Sequence, residues 1–160
     1  MITFERLDGA NDALLGNLYQ LYIHDMSEWL GLELGADGRF AFDTGALWRD
    51  GAAVFLARSG GAPAGFGVVQ SAAPWLGAGA ARDVKDFFVL RRYRRRGVGR
   101  ALARHLWDAF PGPWLVRVLA ANAPALPFWR RAVQEIDGAH TETAVAVRGR
   151  DWIHLRFDAR

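Results

Sequence analysis

Phe87-Phe88-Val89-Leu90-Arg91-Arg92-Tyr93-Arg94-Arg95-Arg96-Gly97-Val98-Gly99-Arg100 joins an apolar strand, a basic turn and the opening of a helix. Val98, Leu102, Leu106 and Ala109 keep a spacing of three to four residues, so the segment after Gly97 reads as an amphipathic helix. The first N–H groups of a helix have no carbonyl partners, and they carry the positive end of its dipole. Such a corner attracts an anion, and Gly97 and Gly99 let the backbone approach one without a Cβ in the way. Five of the six residues from Arg91 to Arg96 are arginine. By itself that run fits a solvated basic turn better than a nucleic-acid patch, and the adjoining Gly97-Val98-Gly99 favours phosphate.

Arg94-x-x-Gly97-x-Gly99, placed after a strand and opening a helix, resembles the acetyl-CoA signature Gln/Arg-x-x-Gly-x-Gly/Ala of the GNAT N-acetyltransferases. Downstream, Asn122-x-x-Ala125-x-x-Phe128-Trp129 is similar to that family's Asn-x-x-Ala-x-x-Phe-Tyr. The resemblance covers roughly residues 52–133. It implies an α/β fold: a mixed, mostly antiparallel sheet, a central parallel pair splayed at the acetyl-CoA site, and helices on both faces. It also implies acetyl-CoA as co-substrate. Arg94, Arg95, Arg96, Gly97, Val98, Gly99 and Arg100 would then wrap the diphosphate, with main-chain N–H groups around Phe88, Val89 and Leu90 facing the acetyl carbonyl. Asn122 and Trp129 would lie along the pantetheine arm, although a helix cap and a core position explain them as well.

The remaining composition is consistent with that picture. A chain of 160 residues with 51% hydrophobic content makes a single domain, 1–160, with a full core. Cysteine is absent, which excludes disulfides, thiolate metal sites and a cysteine nucleophile, and fits a reducing, cytoplasmic setting. His24, His105, His140 and His154 show no ligand spacing, so no metal is expected. Met1-Ile2-Thr3-Phe4-Glu5-Arg6 lacks the order of a signal peptide, and prolines and glycines interrupt the uncharged stretch from Ser59 to Ala81, so no membrane association is expected. The net charge of +3 is almost all arginine, with Lys85 the one lysine. That suits a phosphorylated ligand and falls short of a strong nucleic-acid binder. Whether the chain forms a homodimer is left open.

Taken in order, residues 2–7 alternate as a strand, and a long amphipathic helix follows from Asn11, capped by Asn11 or Asp12. Residues 31–50 read as loop with a short helix near Thr44 to Trp48. Residues 53–58 and 64–70 form a hairpin, and residues 71–81 a mobile loop. Residues 83–90 are the central strand, connected through the helix after Gly97 to a parallel strand over 114–119. A helix over 123–133 and a hairpin of 141–147 with 152–157, turning at Gly149-Arg150-Asp151, complete the chain. A Rossmann unit would place its glycine fingerprint at the first strand, and none is there.

Acetyl transfer to an amine needs donors for an oxyanion and an acceptor for the ammonium proton. Asp86 and Asp83 are the candidate bases, since acids in so apolar a strand are costly unless used or paired. Strict alternation would put Lys85 on the face of Asp83 and away from Asp86. The resemblance supplies a tyrosine at position 129 as thiolate acid, but this chain has Trp129, which leaves that role to Tyr22, Tyr93, water or none. Tyr22, Asp25, Glu28 and Trp29 share a side of the first helix and suit a cationic amine, or equally a solvated acidic face. The expected activity is transfer of acetyl from acetyl-CoA to a primary amine of a small molecule or peptide. The alternatives are a non-catalytic acyl-CoA binder, an enzyme for longer acyl groups and an arginine-rich nucleic-acid module.

Overall fold

A computed structural model describes all of residues 1–160. The strands are β1 (Ile2–Leu7), β2 (Ala53–Ser59), β3 (Ala62–Ser71), β4 (Arg82–Val89), β5 (Gly112–Leu119), β6 (Thr141–Val147) and β7 (Arg150–Ala159). The helices are α1 (Asp12–Leu30), α2 (Thr44–Arg49), α3 (Val98–Ala109) and α4 (Ala125–Gln134). One seven-stranded sheet runs in the order β1-β2-β3-β4-β5-β7-β6, antiparallel except for β4 beside β5. No helix is long and apolar enough to cross a membrane.

Alternation along the strands divides the core. Ala53, Phe55 and Ala57 of β2 pack with Leu102, Leu106 and Trp107 of α3 and with Trp129 and Val133 of α4. Their neighbours Val54 and Leu56 pack on the other face with Leu15, Leu18, Tyr19 and Ile23 of α1 and Leu47 of α2. The apolar run of residues 53–57 is therefore buried on both sides, as expected for the centre of an α/β sandwich.

The central parallel pair is short. Only Arg82, Asp83 and Val84 pair with Trp114, Leu115 and Val116, so the C-terminal ends of the two strands lie apart. Between Val84 and Asp86 the register with β3 shifts, because Val69 and Val68 oppose those two residues and Lys85 is the extra one. That β-bulge bends β4 away from its parallel neighbour and breaks the strict alternation expected there.

Elsewhere the structure adjusts the expected boundaries. A 3-10 turn precedes α1, so Asp8 does the capping, its carboxylate accepting from Ala10 N at 2.9 Å, while Asn11 Oδ1 accepts from Asp8 N. Residues 71–81 are a packed loop: Ala72 N donates to Ala81 O, Leu76 is buried against Leu115, and Arg156 donates to Leu76 O. The last hairpin turns at Arg148 and Gly149, both at positive φ, with Arg150 and Asp151 already paired in β7.

Gly65 is fixed by close approach, since a Cβ there would stand 2.3 Å from Phe88 O. Gly65→Ala should therefore cost about 2 kcal/mol or more, lowering the melting temperature by about 4–8 °C at this chain length. Gly60→Ala, whose Cβ meets nothing within 4 Å but whose φ is +58°, should cost about half as much in a thermal melt.

Candidate active site

The turn between β4 and α3 is built around Arg94. Its Nε donates to Val89 O at 2.7 Å, its guanidinium pairs with Asp25 of α1, and its cationic centre lies 5.7 Å from the Phe88 ring centre. Arg91 donates to the other Asp25 oxygen at 2.8 Å. Burial would raise the Asp25 pKa, but the Arg94 and Arg91 guanidiniums outweigh it and hold the carboxyl below its usual range. One half-buried carboxylate thus fixes two arginines that would otherwise repel each other beside an anion site.

Beyond Arg94 the chain turns through Arg95 at φ +61° and Gly97 at φ +83°, and α3 starts without a side-chain cap. Its leading amides are therefore free for a ligand. Arg95 and Arg96 are exposed and outside the ion pairs of this corner, whereas Arg100 is tied to Glu135 of α4 at 2.8 Å. Val98 is buried in the core beneath the corner. Gly99 lies against Phe128 and Val89, where a Cβ would come within 3.2 Å of the phenyl ring, so the helix can sit close to the end of β4.

The gap beside β4 decides which amides can serve. Leu90 N donates to Ala64 O at 2.9 Å, and Phe88 O points at Gly65, so both residues turn their polar groups to β3. Alternation sends the N–H groups of Val89 and Phe87 the other way, toward the gap. Val89 O, taken by Arg94, confirms that direction. Of the three expected donor residues, Val89 faces the gap, while Phe88 and Leu90 spend their amides on the sheet.

On the α4 side, Trp129 is 7% exposed and meets Phe87 and Phe128 edge-on at 4.7 and 4.9 Å, in the core wall of the gap. Asn122 is half-buried past the end of β5; its carbonyl accepts from Ala125 N, and its side chain makes no cap, since Pro124 precedes α4.

The two acids of β4 have separate environments. Asp83 is fully buried and is gripped by Arg117 of β5 through two hydrogen bonds of 3.0 and 2.6 Å, with Gln70 of β3 donating at 2.9 Å. A carboxylate so engaged is not available as a base. Asp86 accepts from Tyr19 OH at 2.7 Å with the Tyr22 hydroxyl alongside. Burial pushes the Asp86 pKa up, opposed by the tyrosine hydroxyls and by the charges of Lys85 and Arg117. The same burial and the Asp86 charge raise Tyr19 and Tyr22 above the usual phenol value, so both remain protonated donors.

Of the acceptor-side residues on α1, Tyr22 reaches Asp86, Asp25 belongs to the basic turn, Glu28 is exposed and Trp29 is half-buried. Tyr19 and Arg117 were not among the expected site residues. Tyr19 stands one helical step before Tyr22, and Arg117 is a charge inside the apolar run Trp114 to Leu119, a signal of the same kind as Asp83 and Asp86. No three His, Asp or Glu side chains gather as a metal would need.

The family profile of the acetyltransferase (GNAT) family matches residues 17–133. The chain belongs to that family, whose members use acetyl-CoA as co-substrate. A search of curated proteins finds no match. Solved structures with the same fold include the ribosomal-protein-S18-alanine N-acetyltransferase of Escherichia coli, at 17% identity and a TM-score of 0.65 over 99% of this chain and 94% of that one. The protein yncA of Salmonella typhimurium, solved with its cofactor acetyl-CoA, matches at 18% identity and a TM-score of 0.65, over 98% and 93%. PH1933 of Pyrococcus horikoshii matches at 17% and 0.69, over 100% and 99%.

Arg94→Met removes the bond to Val89 O, the pair with Asp25 and the contact with Phe88 together. Coenzyme A affinity in a calorimetric titration should fall about tenfold, as expected for loss of a charge-assisted bond. Arg94→Lys should restore little, because a point charge cannot span both oxygens.

Proposed function

We propose that this chain is an N-acetyltransferase that moves acetyl from acetyl-CoA directly to a primary amine of a small molecule or peptide, with Asp86 as the base. The diphosphate rests on the free amides of α3 and on Arg95 and Arg96. The pantetheine arm lies in the gap between β4 and β5, and Val89 N–H donates to the thioester oxygen. The single observation that carries the reading is the position of Asp86: a half-buried carboxylate, its pKa raised by desolvation, on the strand that carries that amide, three residues before it.

An alkylamine has a pKa of about 10.4, so the acceptor arrives as an ammonium ion and must lose a proton before it attacks. A carboxylate raised by burial is a better base than a solvated one, and the two tyrosines hold its oxygens in place. The amine nitrogen then bonds to the carbonyl carbon, and the oxyanion is met by an amide already fixed in the sheet. As the carbon–sulfur bond breaks, coenzyme A leaves as thiolate; the second proton, shed by the newly bonded nitrogen, passes through water to that sulfur, and Asp86 returns the first one to solvent. Trp129 cannot supply one, and Tyr19 and Tyr22 hold theirs too tightly. No covalent enzyme intermediate is needed, since there is no cysteine and the attack is direct.

The test is thiol release from acetyl-CoA with a panel of primary amines. Asp86→Asn should lower turnover about a hundredfold while the dissociation constant for coenzyme A changes less than twofold. Tight acetyl-CoA binding with no thiol released by any amine would make the chain a binding protein. Binding of nucleic acid that coenzyme A does not compete away would assign the arginine turn to that ligand instead.

A further inference from the structure

Asp83 is a second carboxylate on the strand of Asp86, and the reaction above does not use it. Its partners come from both neighbouring strands, Gln70 from β3 and Arg117 from β5, so the group is anchored on either side of β4. The bulge at Lys85 brings Asp83 and Asp86, three residues apart, onto the same face, where regular alternation would have separated them. Arg117, only 20% exposed, therefore presents its charge to both carboxylates. The other groups around Asp86 are Tyr19 and Tyr22 from α1 and Lys85 from its own strand. His154 of β7 is the register partner of Arg117, and burial, reinforced by Arg117 and Arg156, depresses its pKa and favours the uncharged ring.

We propose that the Asp83–Arg117 pair is a positioning device for Asp86, holding a partly cancelled positive charge at a fixed place beside it so that the carboxylate is ionised yet still accepts a proton. The proposal rests on the reading of Asp86 as the base. An unpartnered Arg117 would hold Asp86 ionised and make it a poor proton acceptor. Without that cation only the tyrosine hydroxyls and Lys85 would oppose burial, and Asp86 would hold its proton more tightly. The two-point grip of Asp83 on a planar guanidinium fixes its direction as well as its distance, so the field at Asp86 is set before any substrate arrives.

The experiment is a carbon NMR titration of protein labelled at the aspartate carboxyls, with the Asp86 resonance identified by its loss in Asp86→Asn. Arg117→Met should raise the Asp86 midpoint by about half a pH unit or more. Asp83→Asn should lower it by a similar amount, and Asp83→Asn/Arg117→Met should return it close to the wild-type value. Opposite shifts from the two halves of one ion pair are not expected of a pair that merely braces the sheet. Equal shifts in one direction, or none, overturn the proposal and leave Asp86 as base untouched. Arg117→Met strands Asp83 as a buried unpaired charge and is the variant most exposed to misfolding. If it does not fold, Asp83→Asn and the double variant decide: a lowered midpoint restored by the second change supports the pair's role, and no difference overturns it. The acid limb of kcat/KM with an accepted amine should track the carboxyl midpoint across the set. A midpoint that moves while the limb stays fixed contradicts Asp86 as base, and with it the pair's part in the reaction.

Discussion

Three residue pairs hold β4 to β5, and then the two strands part. Hydrogen-bonded strands lie about 4.8 Å apart, too close to admit a ligand, so a thioester can meet strand amides only where pairing stops. The bulge at Lys85 lies where it stops, and β3 keeps the other edge of β4 paired up to Leu90. Val89 is thereby left with an amide that is rigid yet has no strand partner. Helices on both faces keep the opening from collapsing, with Phe87, Phe128 and Trp129 forming one wall and Tyr19, Tyr22 and Phe88 packing on the opposite face.

Charge is arranged around that opening with little surplus in the interior. Asp25 takes up Arg91 and Arg94, and Glu135 takes up Arg100, while Arg95 and Arg96 stay exposed at the corner itself. Arginines bound to carboxylates hold the turn in shape, and unbound ones remain to meet an anion. Inside the sheet Asp83 partly cancels Arg117, and Asp86 is the carboxylate whose hydrogen-bond partners are hydroxyls. That division follows from long-range pairing: α1 crosses over the end of β4, so its side chains reach both the turn and Asp86.

Local sequence was enough for the corner. The apolar run before Arg91, the glycines at 97 and 99 and the helical spacing from Val98 specify a strand, a turn and a helix whatever surrounds them, and the hairpins and crossover follow from loop length. The partnership of residues far apart was not readable. Asp25 looked like part of an acceptor pocket because its partners Arg91 and Arg94 lie more than sixty positions away. Asp83 and Asp86 both read as candidate bases, Asp86 ahead, and on opposite faces, because a bulge is a property of register between strands, which no single strand displays. Leu90 and Phe88 looked as suitable as Val89 because the direction of an N–H depends on which neighbour the strand pairs with. Residues 71–81 looked mobile from their glycines, and the contact of Leu76 with Leu115 could not be foreseen.

The central claim is that the Val89 amide faces an open gap and receives the thioester oxygen there. The most direct measurement is the amide resonance of Val89 in labelled protein, recorded free, with coenzyme A and with acetyl-CoA. The account predicts a shift on binding that differs between the two ligands, because only one carries the carbonyl, together with slower hydrogen exchange in the acetyl-CoA complex. A Val89 amide that stays unmoved while acetyl-CoA saturates the protein would contradict it.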